Sequence, residues 1–151
     1  AVAFKEASTN EFKDYSSQIV KNSRKLASTL SEKGLNLVSD GTDNHLILLD
    51  LRESGFSGKK AEIALGKAGI TVNKNSIPYD TRKPAFTSGV RIGTAAITSR
   101  KMKETELQLI GNWISDVLED IEDESKLSSI RNDVRELCDK FPMGPMGSRP
   151  E

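Results

Sequence analysis

The sequence has few of the residues that most often carry chemistry, with one cysteine and one histidine in 151 residues. Cys138 cannot form an internal disulfide, and its helical setting favours a small hydrophobe over a nucleophile. His45 alone cannot build a histidine-rich metal site, and any Ser/His/Asp triad would have to use it. Its place beside Asn44 and before an apolar run favours a structural role. No metal site is therefore expected.

The chain also lacks an excess of charge of either sign, since 22 Lys and Arg balance 22 Asp and Glu. A role that depends on bulk attraction to nucleic acid or to an anionic membrane is therefore disfavoured. No apolar run approaches the roughly 20 residues that span a bilayer, and the first residues do not resemble a secretory signal. Together with the single cysteine, these features predict a cytoplasmic protein with no nucleic-acid and no membrane partner.

Hydrophobic periodicity predicts helices that alternate with strands. Ser8 and Glu11 have the spacing of a capping box ahead of a long amphipathic stripe that ends at Gly34. Ser57 is a candidate cap for a second helix, and Gly69 is a candidate terminator. In chain order, the predicted elements are a helix over 9–33, strands over 35–38 and 46–51, a helix between Ser57 and Gly69, strands over 70–73 and 90–93, and two helices that begin near Lys103 and Leu127.

This order predicts a two-layer α/β (α+β) fold, in which a small sheet of about three strands is covered by helices. The length suits one compact domain, predicted over 35–141. The first helix, within 1–34, is expected to connect this domain to something larger, since its apolar stripe has no earlier element to pack on. The stretch 142–151 has too little apolar periodicity to fold and is predicted to be a disordered tail.

A lone arginine, Arg91, stands in an otherwise apolar run with Gly89 and Gly93 two residues away on either side. In a strand, Val90 and Ile92 would share one face and Arg91 would lie on the other. The glycines allow a ligand or a second backbone to come close, and a guanidinium offers two parallel donors to a carboxylate. Arg91 is thus a candidate carboxylate-binding residue. A solvated arginine on an edge strand is the alternative.

A long loop up to residue 88 precedes this strand, and loops of that length in a compact domain often bind something. Asn75 offers a donor and an acceptor to the edge of a heterocycle, although spacing alone favours an asparagine turn. Lys74 ranks first among weak candidates for a Schiff-base lysine, but it lacks the apolar surroundings that lower the pKa of an amine. No glycine-rich phosphate loop is present. The acidic junction Glu119–Glu124 is interpreted as a solvated turn rather than a metal site.

Three segments of the chain carry a family resemblance: GTDNHL at 41–46, GITVNKN at 69–75 and TSGVRIGT at 87–94. In the same order, they resemble segments from the C-terminal region of serine hydroxymethyltransferase, a pyridoxal-phosphate enzyme that moves a one-carbon unit between serine and tetrahydrofolate. The likeness covers roughly residues 1–141. It implies the small C-terminal domain of a fold-type I pyridoxal-phosphate enzyme, with the first residues resembling the end of a large domain.

The resemblance implies roles for individual residues. Arg91 corresponds to the arginine that binds the carboxylate of serine or glycine, and Asn75 corresponds to an asparagine that contacts the folate pterin ring. The family often has Ser-Pro-Phe as a further folate contact, where this chain has Lys83, Pro84 and Ala85. That departure leaves the folate contact of these three residues open.

The family's Schiff-base lysine, its cofactor-stacking histidine and its pyridinium-binding aspartate lie in a large domain that this sequence does not contain. The chain is therefore expected to be a fragment with no catalytic residue of its own, inactive alone. The full-length homodimer or higher homo-oligomer would add the large domain, pyridoxal 5'-phosphate and tetrahydrofolate. A free-standing amino-acid-binding, folate-binding or dimerisation module of the same fold is a second hypothesis. The small domain of another pyridoxal-phosphate enzyme, such as an aminotransferase, is a third, against which the asparagine motif argues.

Overall fold

The structure, a computed structural model, describes residues 1–143, so residues 144–151 of the predicted tail lie outside the described part. In residues 1–143 it contains six α-helices, one short 3-10 helix (Val38–Asp40) and four strands. This confirms the two-layer α/β prediction, with four strands instead of about three. The helices are α1 (Val2–Ala7), α2 (Asn10–Glu32), α3 (Gly58–Lys67), α4 (Ala95–Ser99), α5 (Glu104–Glu119) and α6 (Glu124–Lys140), and the strands are β1 (Asn36–Leu37), β2 (Leu46–Asp50), β3 (Asn73–Asn75) and β4 (Gly89–Gly93).

The four strands form one antiparallel sheet in the order β1-β2-β4-β3, with the two longest strands in the middle. Ile47 lies opposite Ile92, and Leu49 lies opposite Val90. All four of these side chains are buried and define the inner face. Because side chains alternate along a strand, the residues between them lie on the opposite, outer face. The outer face of this central pair carries Leu46, Leu48, Asp50, Gly89, Arg91 and Gly93.

The inner face of the sheet and four of the helices share one hydrophobic core. The second half of α2 belongs to it, since Leu26 and Leu30 are fully buried together with Leu107 and Ile114 of α5. Burial of each such side chain contributes about 1.5 to 3 kcal/mol relative to exposure. Half of α2 is thus inside the core, and the domain boundary near residue 34 stays a prediction.

One strand lies later in the sequence than its apolar pattern predicts. The strand expected over 70–73 instead covers Asn73–Asn75. The residues directly after α3 form its C-terminal cap. Gly69 adopts φ +81°, and the Ile70 N–H donates to the Leu65 carbonyl at 2.8 Å. This helix ending delays the strand by about three residues.

The N-terminal cap of α2 also differs from the expected one. The Thr9 hydroxyl accepts a hydrogen bond from the Phe12 N–H at 3.2 Å, so Thr9 and not Ser8 caps the helix. The Ser8 hydroxyl donates to the Lys5 carbonyl at the end of α1. Helices α1 and α4 have only six and five residues, too few for hydrophobic periodicity to indicate them.

Gly111 allows α5 to approach α2 closely, and we expect Gly111→Ala to destabilise the protein by about 1 kcal/mol. A Cβ at Gly111 would lie 2.8 Å from Thr29 Cγ2 and 3.2 Å from Leu26 Cδ1. The cost of overpacking, about 1 to 3 kcal/mol, exceeds the gain in helix propensity, about 1 kcal/mol. Urea unfolding followed by fluorescence of Trp113, the chain's single tryptophan, measures this change.

Gly66 supplies the matched control within α3, because a Cβ there would meet nothing within 4 Å. Gly66→Ala should leave the unfolding free energy unchanged or raise it by up to about 1 kcal/mol through helix propensity alone. Equal effects of the two substitutions would contradict the close packing of α2 on α5.

Candidate functional site

A groove of about 1020 Å³ opens on the outer face of the sheet, where that face meets the exposed side of α2 and the turn over residues 38–44. Arg91 and Asn75 both line it, together with Leu48 from β2 and Arg24 from α2. The fold therefore brings two of the sequence-predicted site residues to one surface, although they lie on different strands.

Arg91 is held rigidly by its backbone, while its side chain is exposed. It lies at the centre of β4, opposite Leu48 on one side and Asn73 on the other. β4 is thus an inner strand, so the edge-strand alternative is wrong for its backbone. Among the described residues, the ion pairs involve other side chains and leave the guanidinium unpaired. All its donors are available to an anion in the groove.

The two glycines that flank Arg91 are not equivalent. A Cβ on Gly89 would lie 2.5 Å from a side-chain carbon and 2.8 and 2.9 Å from two backbone carbonyl oxygens. A Cβ on Gly93 would have ordinary contacts only, the nearest at 3.5 Å. Gly89 is therefore required by the close approach of other protein atoms, whereas Gly93 leaves room beside the guanidinium.

Asn75 is the last residue of β3 and lies opposite Gly89, two positions from the partner of Arg91. Its side chain is half-buried, and its Nδ2 donates to the Ser76 carbonyl at 2.7 Å. This local hydrogen bond resembles the asparagine turn considered above, and it also fixes the orientation of the amide. With one Nδ2 hydrogen so occupied, the Oδ1 acceptor and the second hydrogen are left for a ligand.

Lys83, Pro84 and Ala85 lie elsewhere. All three are exposed, and the Lys83 carbonyl accepts the N–H groups of residues 86 and 87, which closes a tight turn. That turn is held against the start of α3, where the Gly58 N–H donates to the Thr87 carbonyl at 3.0 Å. None of the three is among the residues that line the groove. Their folate contact stays a prediction.

The loop between β3 and β4 is organised by Asp80, a residue that the sequence analysis missed. Its carboxylate accepts hydrogen bonds from the Ser88 N–H at 2.8 Å, the Ser88 hydroxyl at 2.6 Å and the Arg82 N–H at 3.0 Å. The signal that points to it is an aspartate two residues after Pro78 in a loop, since aspartate commonly accepts from the backbone two residues on.

The remaining candidate residues, His45, Lys74 and Cys138, do not line the groove. His45 is exposed, and its carbonyl accepts from the Thr94 N–H at 3.1 Å. The Lys74 N–H donates to Glu62 Oε1 at 2.9 Å, and Lys74 does not line the groove. Cys138 is half-buried near the end of α6. None of these settings brings a second reactive group into the groove.

In the acidic junction between α5 and α6, two carboxylates accept hydrogen bonds from backbone N–H groups. Asp120 accepts from the Glu122 N–H at 3.1 Å, and Asp123 caps α6 by accepting from the Lys126 N–H at 3.0 Å. Within residues 1–143, no group of three His, Cys, Asp or Glu side chains is placed to hold a metal ion. In the same part of the chain, no helix is both long and apolar enough to cross a membrane.

Comparison with known proteins identifies the family of this chain. The family model for serine hydroxymethyltransferase matches residues 1–114. Proteins named serine hydroxymethyltransferase from Methanospirillum hungatei, Bordetella avium and Idiomarina loihiensis are 55%, 54% and 52% identical over 96%, 95% and 95% of the chain. The chain spans about a third of the length of these curated relatives, 35%, 34% and 34% respectively. The resemblance seen in the three sequence segments is confirmed, and the chain belongs to the serine hydroxymethyltransferase family.

Proposed function

We propose that this chain forms the amino-acid-binding wall of a serine hydroxymethyltransferase. The full-length enzyme interconverts serine plus tetrahydrofolate and glycine plus 5,10-methylenetetrahydrofolate. The observation that carries the proposal is the unpaired guanidinium of Arg91, exposed in a groove that Asn75 also lines. Membership of the family supports it.

Arg91 holds the carboxylate of serine or glycine through two parallel N–H donors. Such charge-assisted hydrogen bonds contribute about 1.5 to 3 kcal/mol each. Strand pairing on both sides fixes the backbone of Arg91, and the two parallel donors fix the plane of the bound carboxylate. Orientation of the substrate in this way lowers the barrier to reaction. Asn75, at the end of the neighbouring strand, offers its amide to the pterin ring of the folate.

Pyridoxal phosphate needs a lysine for its Schiff base, and no lysine lines the groove in the described part of the chain. The residues present therefore do not fit the cofactor, and we propose that the large domain of the full-length enzyme binds it. We further propose that the full-length enzyme is a homodimer or higher homo-oligomer and that it is cytoplasmic.

Turnover by full-length protein, compared with the 151-residue chain, tests this function. The full-length protein should form glycine and 5,10-methylenetetrahydrofolate from serine and tetrahydrofolate, whereas the chain alone should form neither. Product from the chain alone would contradict its assignment as one wall of the site. Calorimetry of the chain with tetrahydrofolate tests the alternative of an independent binding module, which would require measurable affinity.

Asn75→Ala should raise KM for tetrahydrofolate in the full-length enzyme about 3- to 10-fold and change the affinity for glycine little. The variant removes one or two neutral hydrogen bonds, each contributing about 0.5 to 1.5 kcal/mol. Steady-state kinetics at saturating serine measures this effect. Asn132→Ala, an exposed position on α6, is the matched control and should leave both substrates unaffected. An unchanged KM for folate with Asn75→Ala would remove this residue from the folate site.

A further inference from the structure

The two ends of the loop between β3 and β4 carry the two parts of the proposed site. The loop starts directly after Asn75 and ends directly before Gly89, the first residue of the Arg91 strand. Asp80 joins these ends. Its Oδ2 accepts from the Ser88 N–H at 2.8 Å and from the Ile77 N–H at 3.4 Å, so one carboxylate oxygen contacts both sides of the loop.

The second carboxylate oxygen, Oδ1, is also occupied, since the Ser88 hydroxyl donates to it at 2.6 Å and the Arg82 N–H at 3.0 Å. Arg82 in turn donates from its guanidinium to the Phe56 carbonyl, which attaches this part of the loop to the chain ahead of α3. The Asp80 carboxylate therefore accepts four hydrogen bonds from within the loop.

Hydrogen bonding favours the ionised form of Asp80. Desolvation raises the pKa of its carboxyl, but the hydrogen bonds from the Ser88 hydroxyl and from the N–H groups of Arg82, Ser88 and Ile77 outweigh this effect and lower the pKa to about 2. Asp80 also interacts electrostatically with the carboxylate of Asp50 and the guanidinium of Arg52. Only an ionised carboxylate can accept all four hydrogen bonds at once.

The loop affects Asn75 and Arg91 unequally. Arg91 is central in a strand whose five residues all pair with β2. Asn75 ends a three-residue edge strand that pairs on one side only. A change in the loop should therefore displace Asn75 much more than Arg91, because few other hydrogen bonds hold the end of β3.

We propose that Asp80 is a positioning residue for the folate co-substrate: by tying Ile77 and Arg82 to Ser88, it fixes the end of β3 and the amide of Asn75. This inference rests on the proposed function of the groove. It assigns to the loop a role in folate affinity that does not require Lys83, Pro84 or Ala85 to touch the ligand.

The test is Asp80→Asn in the full-length holoenzyme. The asparagine side chain has one acceptor oxygen in place of two. The two hydrogen bonds that the other carboxylate oxygen accepts are therefore lost. KM for tetrahydrofolate should rise about 5- to 10-fold, while the dissociation constant for glycine, measured by calorimetry, and kcat at saturating folate should stay within about 2-fold. Asp120→Asn is the matched control, because Asp120 makes the same turn with Glu122 and is not among the residues that line the groove. It should change none of these values.

Ser88→Ala supplies a milder second variant, since it removes the hydroxyl donor and keeps the Ser88 N–H. It should raise KM for tetrahydrofolate about 2- to 3-fold, and the double variant should be no worse than Asp80→Asn alone, because the hydroxyl acts through Asp80. A parallel loss of glycine affinity, or an unchanged KM for folate in both single variants, would overturn the positioning role. An inactive wild-type enzyme would instead overturn the proposed function.

Discussion

Replacing Arg91 by lysine in the full-length enzyme is expected to lower kcat/KM for serine roughly 10- to 100-fold. Lysine keeps the charge but replaces a planar fork of parallel donors by a single ammonium group, so the bidentate contact with the carboxylate is lost. A loss of about 1.5 to 3 kcal/mol corresponds to this range, since each 1.4 kcal/mol is a factor of ten. Steady-state kinetics with varied serine at saturating tetrahydrofolate measures it.

The same variant should bind pyridoxal phosphate almost as well as the wild type, because Arg91 is proposed to contact the amino acid and not the cofactor. The absorbance of the bound cofactor checks this point. Arg135→Lys, an exposed arginine on α6, serves as the control for general effects of the substitution and should leave turnover unchanged. Wild-type turnover with Arg91→Lys would exclude Arg91 from the carboxylate site.

The side-chain direction of Arg91 could be predicted from sequence because it depends only on local alternation. Val90 and Ile92 are buried and Arg91 is exposed, as a strand with a period of two residues requires. The capping of α3 by Ser57 and its termination at Gly69 were likewise predictable, because both depend on backbone preferences within a few residues.

Features that depend on distant parts of the chain could not be predicted in this way. The groove exists because α2 and the turn over 38–44 lie beside the outer face, and no local pattern encodes that arrangement. Asp80 contacts Ser88, eight positions later in the loop, where no periodicity applies. The inner position of β4 follows from strand order, which the alternation of side chains does not determine.

Gly89 and Gly93 illustrate this limit, because they are symmetric about Arg91 in the sequence and differ in the structure. We expect Gly89→Ala to destabilise the chain by about 2 to 3 kcal/mol. A Cβ at Gly89 would lie 2.5 Å from Ile77 Cγ2 and 2.8 Å from the Leu49 carbonyl oxygen. The carbonyl belongs to the backbone of a paired strand and cannot move without breaking sheet hydrogen bonds. The expected loss therefore lies at the upper end of the range for overpacked cores, about 1 to 3 kcal/mol.

Gly93→Ala is the matched control, since its Cβ would lie 3.5 Å from Leu46 Cδ2, an ordinary contact. Neither glycine has a positive φ, so alanine fits both backbones, and its lower entropy in the unfolded chain should offset part of any cost at residue 93. Gly93→Ala should therefore stay within about 1 kcal/mol of the wild type. Urea unfolding followed by Trp113 fluorescence compares the two variants, and similar losses would mean that Gly89 is not held between its neighbouring strands as closely as the structure indicates.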